Sequence, residues 1–229
     1  MARVGVVIPA GGRGLRLGRR IPKQFLLLLG KPVLQWTVAI FDSLPIVDEI
    51  VVVAPAAHIA RVKRIISRAG FRKVSAVVPG GAERQDSVRN GLNSFTRHPD
   101  VVLVHDAVRP LVTPEVVRAV VRAAARYRAA VVGVPVKDTV KVEGRKGFYA
   151  RTLQRDRLWV VQTPQGFDYG LLLRAHKLAQ GVRFVGTDES SLVERLGVPA
   201  RIVPGDERNF KITTKGDLER AKLLMRFVA

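Results

Sequence analysis

The start of the chain constrains its fold more than any other stretch. Residues 4–8 (VGVVI) form a wholly apolar, largely β-branched run, which ends at Pro9-Ala10. An apolar run without alternation reads as a strand covered on both faces, so the rest of the chain must supply helices on each side of a sheet. The run opens into Gly11-Gly12-Arg13-Gly14-Leu15-Arg16-Leu17-Gly18-Arg19-Arg20, and Pro22-Lys23-Gln24 follows after Ile21. Glycines let backbone N–H groups approach an anion, while arginine forks and a lysine ammonium supply charge. On composition alone this could be a basic surface loop. Its position after the first buried strand favours phosphate, because ligands of α/β sheets sit off the carboxyl ends of strands.

Two familiar phosphate loops are excluded. A P-loop needs Gly-Lys followed by Ser or Thr, whereas Gly30-Lys31 is followed by Pro32. A dinucleotide fingerprint needs a third glycine where Leu17 stands, and Gly18 comes one residue late.

Beyond the loop the periodicity alternates. Helical stripes at 32–44, 59–70, 88–95 and 114–128 separate apolar runs at 48–54, 74–78, 101–104 and 130–136. That predicts a Rossmann-like, doubly wound, mostly parallel sheet. At 138–142 and 148–152 the pattern changes to two-residue alternation around Glu143-Gly144-Arg145-Lys146-Gly147, the signature of an inserted β-hairpin arm. An arm with one half-apolar face needs a cover, so a homodimer is expected. A further strand is predicted at 158–162, running into a Thr163-Pro164-Gln165-Gly166-Phe167 loop, with short strands at 200–203 and 210–213. Thr113, before Pro114 and Glu115, caps the helix that follows, and Thr214 and Asp217 cap a last helix. The whole, residues 1–229, reads as one domain with an arm at about 137–157.

The charge balance is 39 Lys and Arg against 19 Asp and Glu, a net +20, which favours anionic partners. A nucleic-acid-binding protein is the alternative that this charge raises, but acids are interspersed and no long basic run occurs. Cys is absent, excluding disulfides, thiolate metal sites and a cysteine nucleophile. No apolar run is long enough to span a bilayer and the start has no signal-peptide plan, so the cytoplasm is the expected location.

Polar residues after the strands are the candidates for chemistry: Gly81 and Ser87, then His105, Asp106 and Arg109, then Thr163 and Gln165. Asp106 suits a metal or substrate hydroxyls, and it is also an ordinary turn residue. His105 reads as a structural histidine. Arg109 could pair with Asp106 or hold a phosphate. Lys211, between Phe210 and Ile212, faces away from both, toward solvent or a site. Arg151, Arg155 and Arg157 offer rim charge or a second anion site. No Ser-His-Asp order, paired carboxylates or His-x-x-x-His pair stands out. What remains is positioning and charge stabilisation, the means of phosphoryl and nucleotidyl transfer.

The ordered segments PAGGRGLRLG, PKQ, VPGG with DSVRNGL, VHDAVRP, VKDTVK, QTPQGF, TDESS and NFKIT resemble the cytidylyltransferases of the non-mevalonate isoprenoid pathway over nearly the whole chain. The resemblance implies transfer of a cytidylyl group from CTP to methylerythritol phosphate, releasing pyrophosphate, with Mg2+ carried mainly on the CTP phosphates and no protein metal ligands assigned. It implies that Pro9, Ala10, Gly11, Gly12 and Gly14 wrap the triphosphate, and that Arg16, Lys23 and Lys211 stabilise charge at the α-phosphorus. Gly81, Ser87 and Asp106 would hold CTP. Asp106, Arg109, Thr163, Thr187 and Lys211 would hold the acceptor, with Thr139 and Arg155 reaching in from a second subunit's arm. The sequence departs from the family pattern at Gly11, Leu17 and Ala82. A cytidylyltransferase for another polyol phosphate, such as ribitol 5-phosphate, shares these loops and stays open.

Overall fold

The computed structural model describes residues 2–11 and 21–226. Its elements, in chain order, are β1 (Val4–Pro9), a 3-10 turn (Lys23–Phe25), β2 (Leu27–Leu28), β3 (Lys31–Pro32), α1 (Val33–Ser43), β4 (Glu49–Ala54), α2 (Ile59–Ala69) and β5 (Val74–Pro79). Then come α3 (Arg84–Leu92), β6 (Val101–Val104), α4 (Pro114–Tyr127), β7 (Ala129–Pro135), β8 (Lys141–Glu143) and β9 (Tyr149–Thr152). The chain closes with β10 (Trp159–Asp168), α5 (Tyr169–Gly181), α6 (Glu189–Glu194), β11 (Arg201–Pro204) and α7 (Lys215–Met225).

Seven strands form one sheet in the order β11-β7-β10-β6-β1-β4-β5. Every neighbouring pair is parallel except the two that involve β10. The apolar runs fill two cores at once. In β1, Val4, Val6 and Ile8 point to the side of α1, α2 and α4, and Val7 to the side of α3, α5 and α6. In β4 and β6 the same split recurs: Ile50, Val52 and Leu103 on one side, Val51, Val53 and Val104 on the other. A strand with both faces covered cannot alternate apolar with polar residues, which explains the continuous runs in the sequence. Each such side chain contributes about 1.5–3 kcal/mol when fully buried.

The late strand differs from the sequence expectation. Thr163 to Phe167 is not a loop but the second half of β10, which runs antiparallel through the sheet. Pro and Gly normally punctuate a strand. Here Thr163 and Pro164 sit in a bulge, where pairing skips from Gln162–Val132 to Gln165–Val131, so the missing proline N–H breaks no ladder bond. Gly166 is required because α4 crosses there: a Cβ would lie 2.7 Å from Val120 Cγ1. A second expectation also fails. Residues 210–213 form no strand, because Ile212 N donates to Val108 O without a continuing ladder. Its side chain instead anchors a third cluster with Leu218, Ala221 and Met225 of α7 and Leu28.

The arm forms as expected. β8 and β9 pair antiparallel and stand away from the sheet, with Phe148 68% and Tyr149 66% exposed. The local caps also form: Thr113 accepts from Val116 N, and Thr214 and Asp217 make a reciprocal capping box.

Candidate active site

The chain order reverses at β1, with β4 and β5 on one side and β6 on the other. Open α/β sheets bind ligands at such a point, outside the carboxyl ends of the strands. A cleft of about 690 Å³ lies there. The end of β1 contributes Pro9, Ala10 and Gly11, and the turn behind it contributes Pro22, Lys23 and Gln24. Pro55, Ala56 and His58 follow β4, residues 80–84 and Ser87 follow β5, and Asp106, Ala107 and Val108 follow β6. Lys211 closes the wall.

Local hydrogen bonds hold these loops. Gln24, buried, donates from Nε2 to Ala10 O at 2.6 Å, tying the Lys23 turn to the end of β1. Ser87 Oγ accepts from Gly81 N at 3.1 Å and donates to Glu83 O at 3.1 Å, folding the Gly80-Gly81 turn over the start of α3. Gly81 has no room for a side chain, since a Cβ would fall 2.3 Å from Asp86 Cβ.

Asp106 is the electrostatic centre. Lys211 Nζ lies 2.8 Å from its Oδ2, Arg109 Nε 3.7 Å from the same oxygen, and Arg84 Nη2 3.4 Å from Oδ1. Burial opposes ionisation of this carboxyl, but Arg84, Lys211 and Arg109 outweigh it and hold the group well below the usual carboxylate range. Behind it, Thr163 Oγ1 accepts from Asp106 N at 3.1 Å and meets His105 Nδ1 at 3.2 Å, while His105 Nε2 meets Arg109 O at 3.1 Å. One tautomer satisfies all three contacts: Nε2–H donates to the carbonyl, and the threonine hydroxyl donates to Nδ1. Burial keeps this imidazole neutral, with its pKa lowered to about 4.

Lys211 reaches Asp106 because its loop is pinned. Asn209, fully buried, donates from Nδ2 to Gln162 Oε1 and Thr163 O, and its carbonyl accepts from Arg109 Nη1 at 2.7 Å.

Of the residues singled out in the sequence, Pro9, Ala10, Gly11, Lys23, Gly81, Ser87, Asp106 and Lys211 meet in this cleft. Arg109 and Thr163 sit behind Asp106 rather than on the cleft wall. Thr187 is exposed just ahead of α6, and Thr139 and Arg155 lie on the arm, where Arg155 Nη1 donates to Lys137 O. Gly12, Gly14 and Arg16 lie outside the described residues. Sequence reasoning missed Arg84 and its partner Glu189. Arg84 Nη1 lies 2.8 and 2.6 Å from the two Glu189 oxygens, and Glu189 is buried. The only signal was an arginine opening a helix beside the cleft loop; nothing local says what it pairs with.

With this geometry in hand, the comparisons with known proteins are specific. The family model described as 2-C-methyl-D-erythritol 4-phosphate cytidylyltransferase matches residues 4–227. The chain belongs to that family. A relative of that name from Pelotomaculum thermopropionicum is 46% identical over 227 residues, covering 99% of this chain and 95% of its own. Another, from Geotalea uraniireducens, is 45% identical over 229 residues, covering 99% and 98%. Among solved structures, the 2-C-methyl-D-erythritol 4-phosphate cytidylyltransferase of Thermus thermophilus superposes with a TM-score of 0.78 at 36% identity, covering 98% of this chain and 99% of that one. The 4-diphosphocytidyl-2C-methyl-D-erythritol synthase of Anaerococcus prevotii reaches 0.85 at 27% identity, covering 98% and 99%. This cytidylyltransferase family accounts for a cleft rich in cations. The ring nitrogens of His105, the histidine beside Asp106, are both engaged inside the fold.

Proposed function

We propose that this chain transfers the cytidylyl group of CTP to 2-C-methyl-D-erythritol 4-phosphate, forming 4-diphosphocytidyl-2-C-methyl-D-erythritol and pyrophosphate. The full-length family match carries this reading. The cleft adds its chemistry. The acceptor's phosphate oxygen is already an anionic nucleophile, so no general base is needed. It attacks the α-phosphorus of CTP in line, a new P–O bond forms, and the bond to the β-phosphate oxygen breaks.

The protein's task is to hold two anions together and to stabilise the charge that develops between them. Lys23 and Lys211, which both line the cleft, take that role, with Arg16 of the glycine-rich segment. The glycines after β1 receive the triphosphate, and the Gly81–Ser87 turn receives the cytidine side. Asp106, kept ionised by its cations, accepts hydrogen bonds from acceptor hydroxyls. Arg109, Thr163 and Thr187 support that side, and the arm of a second subunit brings Thr139 and Arg155.

The donor set suits a metal that arrives on the substrate. Among the described residues no group of three His, Asp or Glu side chains gathers to hold an ion, and Asp106 already faces three cations. Mg2+ bound to CTP would draw charge from the phosphates and enter the cleft with the nucleotide. The proposal places the reaction in the cytoplasm. No helix among the described residues is long and apolar enough to cross a membrane.

The test is pyrophosphate release from each of the four nucleoside triphosphates, with methylerythritol phosphate or ribitol 5-phosphate as acceptor. Release only with CTP and methylerythritol phosphate is expected. Lys23→Ala and Lys211→Ala should each slow turnover by about two orders of magnitude or more, the scale of a lost charge stabiliser. Preference for ribitol 5-phosphate, or salt-steep nucleic-acid binding without turnover, would overturn the reading.

A further inference from the structure

Arg84 is the only described side chain that joins the nucleotide-side loop to the acceptor-side carboxylate. It opens α3, directly after the Gly80-Gly81 turn, and it lines the cleft. Its guanidinium is spent on two carboxylates: Nη1 grips both Glu189 oxygens at 2.8 and 2.6 Å, and Nη2 reaches Asp106 Oδ1 at 3.4 Å. Glu189 comes from the first turn of α6, on another part of the chain, and its side chain is 1% exposed. Arg84 is its one ion-pair partner among the described residues. A carboxylate so buried is retained only when paired. The pairing is asymmetric: Glu189 has the short contacts and Asp106 the long one.

We infer that Glu189 is a positioning residue that acts through Arg84 to keep Asp106 available to the polyol hydroxyls of the acceptor. The inference rests on the proposed transfer reaction. Its logic is competition for one fork. While Glu189 holds Nη1, Arg84 can give Asp106 only a distant, one-nitrogen contact, which favours the ionised carboxylate without occupying it. Without the Glu189 charge, Arg84 is free to turn both nitrogens onto Asp106 in the bidentate geometry that arginine prefers. Asp106 already has Lys211 on its other oxygen, so both of its oxygens would then be engaged within the protein. The acceptor would have to displace that pair, whereas CTP, held on the glycine loop and the Gly81–Ser87 turn, would not. Glu189 thus tunes one substrate's site and leaves the other's alone.

The experiment compares wild type, Glu189→Gln and Arg84→Lys by pyrophosphate release, varying each substrate in turn, with thermal unfolding measured alongside. Glu189→Gln is expected to raise KM for methylerythritol phosphate by about tenfold, the cost of one lost charge-assisted hydrogen bond, with KM for CTP within about twofold of wild type. Arg84→Lys keeps a charge but has no fork to bridge the two acids, and should move the same KM in the same direction. Arg84 is a third exposed, so this second variant should remain folded even if the buried Glu189→Gln does not. Equal changes in both KM values, a fall in kcat alone, or no change in a folded variant would overturn the inference. Failure of the wild type itself to turn over this substrate pair would instead remove the functional reading beneath it.

Discussion

At Asp106 and at two buried histidines, desolvation pulls against charge with different outcomes. Asp106 stays ionised because Arg84, Lys211 and Arg109 surround it. At His105 and His176 burial outweighs the nearby acids, Asp106 and Asp86 respectively, and lowers both to about 4 from 6.5. His176, on α5, has neither ring nitrogen hydrogen-bonded among the described residues, and the nearby Arg89 and Arg84 add to its depression. For a base whose pKa is depressed by folding, the unfolded chain takes up the proton first as pH falls. Stability is therefore fully present above pH 6.5 and is lost progressively down to about pH 4. Between about pH 7 and 5 each histidine should cost the fold about 2 kcal/mol, followed at lower pH by the protonation of Asp106. Urea unfolding at both pH values measures this. His176→Leu should remove about half of the loss; an unchanged slope would show that His176 is not buried as described.

The scale of elements raises the question of the arm. The first half of β10 pairs only with β7, and its apolar residues Trp159, Val160 and Val161 are 38, 53 and 41% exposed. Phe148 and Tyr149 on the hairpin are exposed as well, and apolar side chains exposed in such number call for a partner's cover. A second copy of the chain is the expected cover. Val160→Asp should then leave a folded monomer in sedimentation at a concentration where wild type is a dimer. Its KM for methylerythritol phosphate should rise, because Thr139 and Arg155 would no longer reach a neighbouring cleft. A wild-type monomer, or a fully active monomeric variant, would refute the arm's role.

For the molecule as a whole, the net charge of +20 surrounds a cleft that must draw in two phosphate-bearing substrates. Fields of that size raise encounter rates and are screened by salt, with a Debye length of about 10 Å at 0.1 M. The value of kcat/KM should fall by roughly tenfold between about 0.01 and 0.5 M salt, with kcat much less affected. A flat profile would mean that the surface charge plays no part in capture. What the sequence alone determined about this protein is whatever is encoded over a few residues. The doubly covered strands, the caps at Thr113 and Thr214, the hairpin arm and the loop residues Lys23, Gly81 and Asp106 all follow from periodicity, glycine placement and spacing. Only the tertiary structure decided that β10 runs backward through Thr163 and Pro164, since a bulge and a crossing helix excuse the proline and demand Gly166. Likewise it made residues 210–213 a pinned loop, because Ile212 is claimed by α7 and Asn209 by β10. It also joined Arg84 to Glu189, 105 residues away, and to Asp106, 22 away. No periodic pattern records such pairs, because a buried ion pair is specified by which surfaces pack together rather than by its neighbours in the chain.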